Sequence, residues 1–303
     1  MATSFKGIVG VPTTPYTEDG KVDLKTFGKH VNFLIENGSH LLAYPMHGSE
    51  SLNLSKEELK DLARCLVESA GGRLPVFVNV SSSGTDLAHD LARHCEDVGA
   101  TGIVLLPPYF WKPAKEELID HFVTVVGDLN IKLIGYNNFG ATQIEIPHEV
   151  LAHLIERLPN FVGMKDASFD MKYFTEACRV TSELNPEFAL YTGIEYMLPS
   201  MVVGGSGSFS RAGKIAPRLI LSLYEACAKG DVERARPLQF KAVRLLNLLA
   251  HKSPASTKYA MELMGRPDGE PRKPLPRLNA EDKARVKEML TSLCILEGEP
   301  HGW

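Results

Sequence analysis

Two short stretches decide how the chain folds: LIGYNNFG at residues 133–140 and FVGMKDAS at residues 161–168. Each is an apolar run that ends in a residue able to do chemistry, Tyr136 in the first and Lys165 in the second. Similar runs rich in Val, Ile and Leu recur at intervals of roughly thirty residues, which predicts a repeated buried strand. The eight runs are GIVGVPT, HLLAYPM, PVFVNVS, GIVLLPP, KLIGYNN, FVGMKDA, FALYTGI and GGSGSFS.

The segments between the runs have helical spacing. The first places Leu24, Val31 and Ile35 on one face, and Gly38 follows as a stop signal. In the second, Ser55 and Glu58 form a capping box, and the third has Thr85 or Asp86 as its expected cap. Strands that alternate with helices are parallel, because a parallel neighbour needs a crossover connection.

Eight such units predict an α/β protein with a (β/α)8 TIM barrel, although a doubly wound sheet would show the same periodicity. The eighth strand is the weakest prediction, since its sequence is mostly Gly and Ser. From about Lys214 onward the chain contains helical patterns without strands. We therefore expect a barrel core over residues 1–213, then the last barrel helix and a C-terminal helical appendage over residues 214–303.

Composition excludes several classes of function. The 303 residues are 44% hydrophobic and 23% charged, with a net charge of −4 and both signs mixed along the chain. A nucleic-acid partner would need a basic stripe, and no apolar stretch has the length of a membrane span. The start lacks the pattern of a signal peptide, and five widely spaced cysteines form no CxxC motif. We expect a cytoplasmic protein without metal, cofactor, nucleic-acid partner or membrane association.

In a barrel of this type the active site lies at the carboxyl ends of the strands. Lys165 and Tyr136 end neighbouring strands and can point into the same mouth. Desolvation lowers the pKa of a lysine, and the neutral amine is then a nucleophile toward a carbonyl. The alternatives are a lysine that extends from the rim to solvent or one that pairs with Asp166.

At these residues the chain resembles the dihydrodipicolinate synthase/N-acetylneuraminate lyase family of class I aldolases and dehydratases. The resemblance runs through residues 7–23, the GSESLNLSKEE segment, PPYFWKP, YNNFG, GMKDAS and residues 192–210. It implies a TIM barrel in which Lys165 forms the Schiff base and Tyr136 transfers protons. It also implies a homotetramer, for which the aromatic run Tyr109, Phe110 and Trp111 would supply an interface.

The sequence departs from the family pattern where the substrate is selected. The family's Gly-Thr-Thr-Gly-Glu motif corresponds to residues 46–50, which read MHGSE, so both threonines are absent. Phe110 stands where the synthases place a relay tyrosine, and Ala141 stands where they place an arginine for a distal carboxylate. Glu195 and Tyr196 replace the Asp-Glu pair that the sialic acid lyases direct at sugar hydroxyls. The dihydrodipicolinate synthase reaction and the cleavage of sialic acid are therefore both disfavoured.

We expect pyruvate-type carboxylate binding at Gly48 and Ser49, and recognition of the far end of the substrate at Arg211. The full set of expected substrate-binding residues is Gly48, Ser49, His47, Arg211, Glu195 and Phe209. An ion pair between Arg211 and Glu195 that closes the rim is the structural alternative for that arginine.

The leading hypothesis is a lyase that performs retro-aldol or aldol chemistry with pyruvate through a lysine Schiff base. Dehydration of a 2-oxo-3-deoxy acid shares the same intermediate and is the close alternative. A barrel that binds a metabolite without turnover is the alternative of another class. Schiff-base chemistry requires no metal, because the imine itself accepts the electron pair.

Overall fold

In a computed structural model that describes residues 5–303, the chain forms a closed barrel of eight parallel strands. Each strand pairs with the next along the chain, and the eighth pairs with the first. The strands are β1 (Gly7–Gly10), β2 (Leu41–Tyr44), β3 (Val76–Asn79), β4 (Gly102–Leu105), β5 (Lys132–Asn137), β6 (Phe161–Asp166), β7 (Ala189–Thr192) and β8 (Gly207–Ser210). The predicted (β/α)8 TIM barrel is confirmed.

Helices follow the strands and continue beyond the barrel. They are α1 (Leu24–Glu36), α2 (Lys56–Ala70), α3 (Thr85–Asp97), α4 (Lys115–Val126), α5 (Phe139–Thr142), α6 (His148–Arg157), α7 (Met171–Leu184), α8 (Met197–Val202), α9 (Pro217–Ala228), α10 (Val232–Ala250), α11 (Ala255–Leu263), α12 (Ala280–Ser292) and α13 (Ile295–Gly298). Two 3-10 turns, His47–Ser49 and Ser51–Asn53, follow β2. Within residues 5–303, no helix combines the length and apolar character that crossing a membrane requires.

The strands are buried on both faces, which explains their continuous apolar sequence. Side chains that point inward, such as Leu41, Phe77 and Ile134, fill the barrel as one cluster. Side chains that point outward, such as Leu42 and Leu133, pack against the ring of helices in a larger cluster. This alternation leaves the carboxyl ends of the strands as the part of the barrel where polar side chains collect.

The helix caps agree with the sequence at two of the three predicted positions. Ser55 and Glu58 form the expected capping box of α2. Gly38 follows α1 with φ of +93°, a conformation that favours glycine. The predicted cap of α3 is wrong, because that helix begins at Thr85 after Gly84 and receives no side-chain cap. The Thr85 hydroxyl instead bonds His121 at 2.9 Å.

Glycine in β8 permits the barrel to close. Gly207 has φ of +142°, and a Cβ atom there would lie 2.0 Å from the Gly7 carbonyl oxygen. Strands β8 and β1 therefore approach more closely than any residue with a side chain would allow. The Gly- and Ser-rich run, which was the weakest strand prediction, does form a strand, and its glycine permits this close pairing with β1.

Helices α9 to α13 form a second apolar cluster against the β8 side of the barrel. Residues of α11 and of the segment after it reach back to the mouth: the Lys258 ammonium donates to the Thr14 carbonyl at 2.7 Å. The helical C-terminal appendage is confirmed, and the division into 1–213 and 214–303 stays a prediction.

Candidate active site

A cavity of about 210 Å³ opens at the carboxyl ends of the strands. Its walls come from β5, β6 and β8, from the loops after β1, β2, β5, β6, β7 and β8, and from the chain around the start of α11. The lining residues are Val11, Met46, His47, Gly48, Tyr136, Asn138, Lys165, Ala167, Phe169, Gly193, Ile194, Phe209, Ser210, Arg211, Lys214, Ser253 and Thr257. The cavity is smaller than the sites that bind drug-sized molecules, so a small metabolite suits it.

Lys165 and Tyr136 are direct neighbours across the pair of strands β5 and β6. The Lys165 ammonium nitrogen lies 3.9 Å from the centroid of the Tyr136 ring and 5.0 Å from that of Phe209. Lys165 is 5% exposed and Tyr136 is 3% exposed, and both line the cavity. Two buried titratable groups thus meet in one small cavity.

Burial holds the pKa of Lys165 well below its usual value, and the nearby Arg211 guanidinium lowers it further. Asp166 acts in the opposite direction but forms no ion pair with Lys165 within the described chain. Its carboxylate instead accepts from the Asn137 side chain at 2.8 Å and from the Ser168 hydroxyl at 2.9 Å. The amine of Lys165 is therefore more often neutral, and more nucleophilic, than that of an exposed lysine.

Asn138 orients the groups around Tyr136. Its side-chain nitrogen donates to the Tyr136 hydroxyl at 3.0 Å and lies 3.2 Å from His47 Nδ1. Since the Tyr136 oxygen accepts this bond, its own proton remains available toward the cavity. Burial raises the pKa of Tyr136, so the phenol keeps that proton at neutral pH.

His47 lies beside Tyr136, with 5.7 Å between the ring centroids. Burial lowers the pKa of His47 to about 4, and the charge of Lys165 contributes. The imidazole is therefore neutral at physiological pH and can accept a proton. The structure brings His47 to the cavity, in the position expected from the sequence.

In the turn after β2, Gly48 lines the cavity and Ser49 does not. The Ser49 hydroxyl donates to the Pro12 carbonyl at 2.5 Å, and its amide donates to the Met46 carbonyl at 2.8 Å. Both donors of Ser49 are engaged and its side chain is fully buried, so this geometry does not favour the predicted contact of Ser49 with the carboxylate, which stays a prediction. The amides of His47 and Gly48 begin the 3-10 turn and have no backbone acceptor in residues 5–303.

Glu50 braces this turn from behind. It takes a left-handed conformation, with φ of 63°, and is buried. The Lys258 ammonium lies 3.1 Å from one carboxylate oxygen, and the Arg272 amide donates to the other at 2.9 Å. The C-terminal segment therefore fixes the loop that presents His47 and Gly48.

Glu195 also has a bracing position, which does not favour its predicted contact with substrate; that contact stays a prediction. It is fully buried and does not line the cavity. Its carboxylate accepts from the Ser210 hydroxyl and from the Ala212 amide, each at 2.6 Å. It holds the loop after β8, from which Arg211 points into the cavity without an ion pair to Glu195 in the described part of the chain.

Sequence reasoning missed several residues of the cavity. Asn138 follows the last residue of β5, and only its bond to Tyr136 shows that its side chain belongs to the site. Lys214, Ser253 and Thr257 come from the C-terminal third of the chain, where a helical pattern gives no sign of an approach to the mouth. Phe209, which was predicted, lies at the cavity floor near Lys165.

The aromatic run after β4 lies outside the cavity. Phe110 is 84% exposed and Trp111 is 63% exposed, and their rings pack edge to face at 5.3 Å. Neither ring can contact a substrate in this cavity. Within residues 5–303, His, Cys, Asp and Glu side chains form no group of three placed to hold a metal ion.

Comparison with known proteins places the chain in a family. Residues 4–293 match the profile of the dihydrodipicolinate synthetase family. A 4-hydroxy-tetrahydrodipicolinate synthase from Archaeoglobus fulgidus is 34% identical over 96% of this chain and 99% of that protein. The corresponding protein of Methanopyrus kandleri is 32% identical over 98% of this chain and 99% of its own length.

Solved structures agree with the sequence comparison. Dihydrodipicolinate synthase from Aquifex aeolicus superposes with a TM-score of 0.89 at 29% identity, over 96% of this chain and 98% of that chain. YagE, a prophage protein of E. coli K12 solved in complex with pyruvate, superposes with a TM-score of 0.92 at 25% identity. The match covers 97% of this chain and 100% of that chain.

Fold and relatives together define the class of protein, a class I lyase that holds pyruvate-type substrates as a lysine Schiff base. The chain belongs to the dihydrodipicolinate synthetase family. The resemblance seen in the sequence is thereby confirmed.

Proposed function

We propose that the chain cleaves a short 4-hydroxy-2-oxo acid by a retro-aldol reaction, with Lys165 as the Schiff-base lysine. The observation that carries this proposal is the pair of Lys165 and Tyr136 in one small cavity. Burial favours the neutral amine of the first and the protonated phenol of the second. Those are the protonation states from which an imine forms.

The chemistry follows from the positions of these groups. The Lys165 amine attacks C2 of the substrate, and loss of water leaves an iminium. A base removes the proton of the C4 hydroxyl, the C3–C4 bond breaks, and its electron pair forms the enamine while an aldehyde departs. Protonation at C3 and hydrolysis then release pyruvate and restore the amine. Tyr136 is placed to give and take these protons, and Gly48 offers an amide to the C1 carboxylate.

Three positions favour cleavage of a 2-oxo acid over the synthase reaction for which the relatives are named. His47 occupies the position of a family threonine and places an imidazole in the cavity. Phe110 has no hydroxyl with which to relay a proton. Ala141 cannot hold a distal carboxylate as the arginine of the synthases does. The features that the synthases use beyond the imine are thus replaced.

Dehydration of a 2-oxo-3-deoxy acid is a second candidate, favoured by the neutral His47 beside Tyr136. In that reaction a proton leaves C3 of the iminium, and the enamine expels the C4 hydroxyl as water after protonation. His47 and Tyr136 would each perform one of the two proton transfers, removal of the C3 proton and protonation of the C4 hydroxyl. Release of pyruvate distinguishes cleavage from dehydration, which leaves the carbon chain intact.

Borohydride trapping tests the proposal. Incubation with pyruvate and borohydride should add one reduced pyruvate to the protein mass, with the adduct mapped to Lys165. Lys165→Met should abolish it, whereas Lys112→Met, which alters an exposed lysine, should not. An adduct that survives in Lys165→Met, or that maps to Lys214, would refute the assignment.

A further inference from the structure

The cavity contains more positive charge than imine chemistry needs. Lys165, Arg211 and Lys214 all line it, and its lining residues in the described chain include no aspartate or glutamate. One cation, Lys165, is consumed by the imine, and the Gly48 amide is available to the C1 carboxylate. Arg211 and Lys214 therefore remain without an assigned role.

Lys214 is the less expected of these two cations. It is 2% exposed, which is rare for a lysine without a partner. Its ammonium has no hydrogen bond or ion pair among residues 5–303, although it borders the cavity. Burial lowers the pKa of Lys214 to about 8, with Arg211 as a second cause, and the charges of Asp268 and Glu195 offset this only in part.

The backbone holds Lys214 firmly in this position. The guanidinium of Arg266, itself fully buried, donates to the Lys214 carbonyl at 3.2 Å. The same guanidinium donates to the Pro300 carbonyl at 2.7 Å, which ties the loop after β8 to the end of the chain. The lysine is therefore presented to the cavity by a rigid support.

Two nearby acidic groups, Asp268 and Glu195, raise the pKa of Lys214 but form no ion pair with it among residues 5–303. Glu195 accepts from Ser210 and Ala212, as described above. Asp268 faces Lys258, with 3.9 Å between ammonium nitrogen and carboxylate oxygen, and does not line the cavity. These carboxylates offset part of the positive charge, but neither of them lines the cavity beside Arg211 and Lys214.

Two hydroxyl groups complete this part of the wall. Ser253 and Thr257 line the same cavity from the start of α11, and their hydroxyls have no hydrogen-bond partner among the residues that the structure describes. Hydroxyl donors beside a guanidinium and an ammonium make a set that matches an anion with several acceptor positions.

We propose that Arg211, Lys214, Ser253 and Thr257 form a second anion subsite, which holds a carboxylate at the far end of the substrate. The inference rests on the proposed Schiff-base function and names its substrate class, a short 2-oxo diacid. A planar guanidinium binds a carboxylate through two parallel bonds, which suits the pairing of Arg211 with a terminal carboxylate.

Two acids of equal chain length test the subsite. 2-Oxoglutarate ends in a carboxylate where 2-oxopentanoate ends in a methyl group, and both carry the 2-oxo group that Lys165 attacks. The measurement is the concentration of each acid that gives half-maximal borohydride trapping, read as protein mass. We expect at least a tenfold preference for 2-oxoglutarate, because a charge-assisted bond contributes on that scale.

The variants should change this preference selectively. Lys214→Met keeps the aliphatic stem and should reduce the ratio between the two acids about tenfold or more, whereas Lys112→Met should leave it as it was. Arg211→Gln should also reduce the ratio, and it keeps the test decisive if Lys214→Met does not fold.

Several outcomes would overturn the subsite. Equal trapping of the two acids by the unaltered protein is one, and an unchanged ratio in both variants is another. Stabilisation by inorganic phosphate that Lys214→Met removes, without a preference for 2-oxoglutarate, would reassign the site to a phosphate ester. Failure of the proposed function looks different, since pyruvate itself would then leave no adduct.

Discussion

At the scale of single residues, the proposed proton transfer by Tyr136, whose hydroxyl accepts from Asn138, can be tested directly. Tyr136→Phe keeps the ring over Lys165 and removes only the hydroxyl, so the cavity keeps its shape. We expect turnover to fall by about 10²–10⁴, the usual contribution of one general acid or base. The measurement is the rate of pyruvate release. Unchanged turnover would indicate that His47, and not Tyr136, transfers the protons.

The lowered pKa of Lys165 predicts a pH dependence. Only the neutral amine attacks the substrate, so the rate of pyruvate trapping should rise with pH through this pKa and level off well below the ordinary lysine value of 10.5. Arg211→Gln removes a neighbouring cation that lowers the pKa, so the whole profile should move to higher pH. Arg157→Gln, an exposed arginine at the end of α6, is the matched control. A profile that stays in place in Arg211→Gln would contradict the electrostatic account.

Sequence alone could predict Lys165 and Tyr136, because an apolar strand that ends in a titratable residue is a local pattern. It could not predict that Ser49 turns its hydroxyl to the Pro12 carbonyl, since that contact joins two loops. Nor could it predict that the Glu195 carboxylate accepts from Ser210 and Ala212 inside the protein. Both residues are polar and end strands, but only the surrounding donors decide whether a polar group faces substrate or protein.

At the scale of elements, closure of the barrel depends on Gly207 in β8. Gly207→Ala would place a methyl group 2.0 Å from the Gly7 carbonyl oxygen, at a φ of +142°. Overpacking and backbone strain each cost about 1–3 kcal/mol, so we expect a loss of about 2–6 kcal/mol in the free energy of unfolding. Denaturant unfolding measures it. Gly140→Ala, where a new Cβ meets no atom within 4 Å, is the control and should change stability little.

If Gly207→Ala unfolds at the same denaturant concentration as the unaltered chain, the contact between β8 and β1 is looser than the structure has it. The position also explains why β8 was hard to recognise. Close approach of two backbones requires residues without side chains, and their absence removes the apolar signal by which strands are recognised. Strands with Val, Ile and Leu were predicted readily because burial on both faces demands such residues.

At the scale of the whole molecule, the exposed aromatic pair Phe110 and Trp111 predicts self-association. Phe110 also has φ of +79°, a conformation that costs energy for a residue with a side chain. Aromatic side chains of this size are enriched in interfaces, so we expect a homo-oligomer, most simply a homotetramer. Light scattering should give a mass at least twice the 33.4 kDa of one chain.

A double variant, Phe110→Asp with Trp111→Ser, should shift that mass toward the monomer. Val202→Asp, at an exposed apolar position on α8, serves as the control and should keep the assembly. A monomer mass for the unaltered protein would show that the aromatic pair has another purpose.

The bond from the Arg272 amide to Glu50 joins residues that are 222 positions apart in the chain. During synthesis the loop after β2 leaves the ribosome long before the segment that braces it. At roughly 5–20 residues per second, the interval is roughly 10–45 seconds. Through that interval the early loop has neither Lys258 nor Arg272 behind it, and the wall formed by Ser253 and Thr257 does not yet exist. Lys165 emerges when only the walls before it in the chain exist, so a nascent chain cannot complete the site until almost the whole message has been translated.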